Sequence, residues 1–126
     1  MQSVTSNAVA VANSYSTSET FTGRYWIDGK KIYRKTINCG AMPNMTYKTL
    51  NHNISNMDFL IKITGMCYSS TLATPRFLPL PNVPTEDVIN RIGINATRTQ
   101  IEIYAARDRT MYAQSYVTLE YTKTTD

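Results

Sequence analysis

Phe21-Thr22-Gly23-Arg24-Tyr25-Trp26-Ile27-Asp28-Gly29-Lys30-Lys31-Ile32-Tyr33-Arg34-Lys35-Thr36-Ile37 decides the fold class. Phe21, Gly23, Tyr25 and Ile27 alternate with Thr22, Arg24 and Trp26, which is the two-residue period of a strand with one buried face. Asp28-Gly29 then reads as a two-residue hairpin turn, because glycine tolerates positive φ. The return strand is predicted over Lys31 to Ile37.

The same period continues downstream. Asp58 to Tyr68 predicts a strand with Phe59, Ile61 and Ile63 on one face and Leu60, Lys62 and Thr64 on the other. Val88 to Ala96 predicts Ile92 and Ile94 inward, and Gln100 to Ala106 predicts Ile101 and Ile103 inward with Glu102 and Tyr104 outward. Tyr116 to Thr122 sets Val117, Leu119 and Tyr121 against Tyr116, Thr118 and Glu120. Turn-rich stretches lie between them, at Gly40 to Asn44, Ser69 to Pro75, Pro79 to Thr85 and Arg107 to Arg109. Pro79, Pro81 and Pro84 keep their region off any central strand. Short alternating strands with this punctuation predict an all-β, antiparallel β-sandwich of jelly-roll-like form.

The first 18 residues differ from this pattern. Ser3 to Tyr15 is rich in Ala and Val and lacks charge, proline and glycine. Val4, Ala8, Val11 and Tyr15 fall on one side of a helix, with Ser3 as its cap. Such a short helix is unstable alone, so the stripe is an expected trimer interface. A frayed terminal arm is the alternative. The expected organisation is a helical leader over 1-18 and a sandwich over 19-126.

Composition narrows the function classes. The chain has 126 residues, 42% hydrophobic, enough for one domain with a core and against wholesale disorder. No apolar run approaches the roughly 20 residues of a membrane-spanning helix, and the start carries no secretion-signal pattern, so no membrane insertion is expected. Thirteen Lys and Arg against nine Asp and Glu give a net charge of +4, which fits an anionic partner. The basic residues are interspersed with acids, so a nucleic-acid partner is not expected. Cys39 and Cys67 have neither a CxxC spacing nor nearby histidines, and are expected as packed free thiols rather than a zinc or redox site.

No reaction is legible. The sole histidine, His52, has no nucleophile elbow to serve and is expected to be satisfied by local backbone or water. The acids are scattered, without the flanking pair a glycosidase needs. No glycine-rich phosphate loop is present, so no cofactor, metal or catalytic residue is assigned. Binding chemistry remains. Aromatic rings stack on the C–H faces of sugars, and Arg, Asp and Asn side chains fork hydrogen bonds to hydroxyls. Two loops combine these types: Arg107, Asp108, Arg109 and Tyr112 in one, Tyr68 with Arg76 in the other. These are the candidate ligand-binding residues. The competing reading puts the tyrosines in the core or a subunit interface.

Several segments resemble the C-terminal tip domains of bacteriophage tail-fibre and capsid-fibre proteins. They are Tyr15 to Glu19, the hairpin opener Trp26 to Lys35, His52 to Asn56, the ending Tyr116 to Lys123, and the leader Ser3 to Ala10. The resemblance covers nearly the whole chain, with Thr71 to Pro84 and Arg98 to Tyr112 as its least shared parts. It implies a homotrimeric virion protein, assembled in the bacterial host cytoplasm and placed at a fibre's distal end. Attachment to a host-surface glycan or wall polymer is the implied duty, and no catalytic residue is carried over. Met1-Gln2 then reads as a truncated start with the fibre shaft upstream. A structural cap or assembly module is the alternative, and a polysaccharide depolymerase a more distant one.

Overall fold

The computed structural model describes residues 14-84 and 88-126. Eight strands form in chain order: β1 (Thr20–Tyr25), β2 (Lys31–Asn38), β3 (Tyr47–Asn51), β4 (Met57–Ser69), β5 (Arg76–Leu80), β6 (Ile92–Ala96), β7 (Gln100–Ala105) and β8 (Gln114–Lys123). A 3₁₀ turn, Val88–Asn90, precedes β6. The strands make a five-stranded sheet, β1-β2-β8-β4-β5, and a three-stranded sheet, β3-β7-β6. All their pairings are antiparallel. The chain is therefore all-β. The expected leader helix, with Val4, Ala8 and Val11, lies outside the described residues.

One core joins the sheets. Ile37, Cys67, Leu80, Val117, Leu119 and Tyr121 from the larger sheet share a buried cluster with Ile92, Ile101 and Ile103 from the smaller. Strand alternation explains the membership. Val117, Leu119 and Tyr121 point inward while Thr118 and Glu120 between them do not, as the period predicts. Each fully buried side chain of this kind contributes about 1.5 to 3 kcal/mol of transfer free energy.

The hairpin forms, with a different turn. Trp26 N donates to Lys30 O at 2.8 Å and Gly29 N to Trp26 O at 2.9 Å. Only Gly29 has positive φ, at 87°, and Asp28 does not. A two-residue type I′ loop needs positive φ at both central positions, so the loop is the three-residue kind, a tight turn closed by a left-handed glycine. Asp28 Oδ1 instead accepts from Lys30 N at 3.0 Å. A register irregularity between Phe21 and Tyr25 breaks the expected alternation. Thr22, not its neighbours, is buried, and Ile27 stands 90% exposed at the hairpin tip.

In β4 the expected faces hold for Ile63 against Lys62 and Thr64 but are exchanged at Phe59 and Leu60, for a similar reason. Three steps from Met57 to Leu60 face two on β8, and two steps from Leu60 to Lys62 face one. These bulges reset the parity of the strand. Leu60 and Ile63 therefore sit opposite the core residues Tyr121 and Leu119. Phe59 is exposed and stacks on Trp26, ring centroids 5.9 Å apart.

Two strands were not expected. In β3, Leu50 packs on the core while Lys48 Nζ reaches back to the carbonyls of Cys39 and Ala41. β5 contains Pro79 and lies at a sheet edge, where a missing N–H costs no ladder bond. The strand expected from Val88 starts only at Ile92, after the 3₁₀ turn. Both cysteines are free and buried.

Candidate functional site: an arginine-lined cleft

The loop between β7 and β8 is tied down by backbone bonds. Arg109 N donates to Pro43 O at 3.0 Å, Tyr112 N to Arg109 O at 2.9 Å, and Met42 N to Tyr112 O at 3.0 Å. Asp108 Oδ1 closes the loop internally, accepting from Thr110 N at 2.9 Å and Thr110 Oγ1 at 2.7 Å. The backbone N–H and then the hydroxyl of Thr110, with a smaller contribution from Arg107, hold the Asp108 carboxyl below its ordinary range.

This loop presents Arg107 and Arg109 to Asn90, at the end of the 3₁₀ turn. Arg107 Nη1 donates to Asn90 Oδ1 at 2.9 Å. Arg109 Nη2 donates to Asn90 O at 3.1 Å and to Asn90 Oδ1 at 3.2 Å. The Arg109 guanidinium carbon lies 5.9 Å from the Tyr112 ring centroid, a cation–π distance. Asn82 is placed by backbone bonds with Ile92, at 3.0 and 2.8 Å. Together with Arg76 and Leu78 from β5, these residues line a cleft of about 340 Å³.

The described lining of the cleft is positively charged. Arg76, Arg107 and Arg109 line it, and no carboxylate does so among the described residues. The ion pairs formed by the described residues involve other cations: Arg24 and Arg34 with Glu120, Lys30 with Asp58, and Lys123 with Glu19. Asn90 orients two guanidiniums without neutralising either. Arg109 Nε is buried with no hydrogen-bond partner among the described residues.

Of the candidates from sequence, Arg76, Arg107, Arg109 and Tyr112 therefore meet in one cleft. Tyr112 contributes a wall from inside the core, only 2% exposed. Asp108 belongs to the same loop but is spent on Thr110. Tyr68 does not join them. It lies between buried Cys67 and Ser69, so its ring faces the opposite side of the sheet, where it stacks on Phe77 at 4.5 Å. Asn82 and Asn90 were missed: each sits in a turn segment that nothing in the local pattern marks as binding.

The remaining candidates are separate from this cleft. Tyr15 is 75% exposed and its ring lies 5.1 Å from the Arg34 guanidinium carbon. His52 is 1% exposed. Its Nδ1 accepts from Ile54 N at 3.2 Å, so Nε2 carries the proton and donates to Thr97 O at 2.9 Å. The recess beside it is lined by Lys35, Asn38, Asn51 and Asn53 among others, and by no carboxylate among the described residues.

No family model, curated protein or solved structure matches the chain.

Proposed function

We propose that this chain is the tip domain of a bacteriophage tail or capsid fibre, attaching the virion to a host-surface glycan or wall polymer without chemistry. In this reading the domain is a jelly-roll-like sandwich carried three to an assembly on the helical leader. The sequence likeness of the hairpin opener and of the ending supports the fibre assignment. The attachment duty is carried by one observation, the solvent-facing cleft of Arg76, Arg107 and Arg109 backed by Tyr112. A module serving only as a cap has no use for three guanidiniums gathered in a cleft that no carboxylate lines among the described residues.

One shallow site binds a sugar weakly. Three sites per tip and several tips per particle raise avidity by orders of magnitude without new contacts. The positive cleft also speeds approach to an anionic surface, an effect that salt screens. The test combines light scattering after size exclusion with retention of the purified protein on bacterial envelope fractions at low and moderate salt. A trimer that is retained, more strongly at low salt, is the expected result. A monomer retained by no fraction overturns the reading.

A further inference from the structure

We infer that the cleft recognises an oxyanion borne on a saccharide, the carboxylate of an acidic sugar or the phosphate of a phosphodiester-linked polymer. The inference rests on the attachment reading and narrows its ligand.

Asn90 is the observation that carries it. Its Oδ1 accepts from Arg107 Nη1 at 2.9 Å and from Arg109 Nη2 at 3.2 Å. An aspartate has the same shape and would bind both guanidiniums more strongly, through charge-assisted bonds. With the neutral amide, the two cations are held in position, and no carboxylate among the described residues pairs with either. Arg76 adds another cation from the facing edge strand, its side chain exposed and making no hydrogen bond or ion pair among the described residues. Guanidinium forks match the planar spread of carboxylate and phosphate oxygens, whereas a neutral hydroxyl leaves most of the donors unused. Arg109 Nε, buried behind these groups, has no hydrogen-bond partner among the described residues. The neighbouring Asn82 supplies an amide suited to a sugar hydroxyl.

The experiment is calorimetric titration of the intact protein with trigalacturonate, a glycerol-phosphate oligomer and neutral maltotriose, repeated with Asn90→Asp and Arg76→Gln. At least one acidic probe is expected to bind. Asn90→Asp should weaken it about tenfold or more while leaving the melting temperature unchanged or higher. A merely structural role for Asn90 would leave binding as it was. Arg76→Gln, which removes an exposed side chain that makes no hydrogen bond or ion pair among the described residues, should weaken it by a similar factor. The stronger of the two acidic probes identifies the source of the oxyanion. Maltotriose binding as well as the acidic probes, or Asn90→Asp binding them equally, overturns the inference and leaves the attachment reading intact. Failure of both acidic probes also overturns it, and envelope retention then decides the attachment reading separately.

Discussion

The guanidinium carbon of Arg109 lies 5.9 Å from the ring centroid of Tyr112, joining a surface cation to the edge of the hydrophobic core. The ring is fixed by packing, so it fixes the guanidinium. Arg109→Lys replaces the planar guanidinium, whose Nη2 donates to both Asn90 oxygens, with a compact ammonium that lacks the further guanidinium donors and the flat face set beside Tyr112. Retention on envelope fractions should fall about tenfold, while urea unfolding shifts by less than about 1 kcal/mol. Equal retention by the lysine variant would show that charge alone suffices.

Gly65 is tightly enclosed. A Cβ there would stand 2.7 Å from the Tyr116 carbonyl oxygen and 3.2 Å from Leu80 Cβ. The carbonyl belongs to the sheet ladder and cannot swing away. Gly65→Ala should destabilise the fold by roughly 1 to 3 kcal/mol in urea unfolding, the usual cost of overpacking.

His52 is predicted to be structural. Both ring nitrogens bond backbone, to Ile54 N and Thr97 O, tying the loop after β3 to the β6–β7 turn. His52→Ala leaves both groups without their partner and opens a cavity, costing roughly 2 to 4 kcal/mol. Envelope retention by the surviving folded fraction should not change.

The thiols set an alkaline limit. Burial pushes both Cys39 and Cys67 up to about 11 from 9.0. The folded state holds these protons more tightly than the unfolded state does. Their stabilising contribution is thus fully present below pH 9 and is lost as pH rises toward 11. Each thiol adds at most about 1.4 kcal/mol of lost stability per pH unit in that window. Tyr33, pushed to about 12 chiefly by its hydrogen bond with Asp126, acts at higher pH. The slope difference between the native protein and a Cys39→Ala/Cys67→Ala variant in pH-dependent urea unfolding isolates the thiols. Native protein should also resist a thiol reagent at pH 8 until urea is added.

The core of this fold was legible wherever the two-residue period ran unbroken. Ile101 and Ile103, and Val117, Leu119 and Tyr121, are all buried as that period requires. The period failed at β4, where bulges at Met57–Lys62 exchange the faces of Phe59 and Leu60. It gave no signal for β3, whose inward places hold only one apolar residue beside Lys48, or for the proline-bearing β5. The cleft shows the same division. Arg107, Arg109 and Tyr112 share one short loop and could be grouped from sequence alone. Asn90 reaches them only through the fold, 17 and 19 positions away. Parity separates Tyr68 from the cleft: its neighbours on β4 turn inward, so it turns out.

Amide chemical-shift mapping of the isotope-labelled protein, titrated with solubilised envelope glycan, locates the surface that binds it. The largest shifts should cluster at Arg76, Asn82, Asn90 and Arg107 to Tyr112. Shifts confined to Tyr68, Phe77 and Tyr116 on the opposite face of the larger sheet, or no shifts at saturating glycan, would contradict attachment through the cleft.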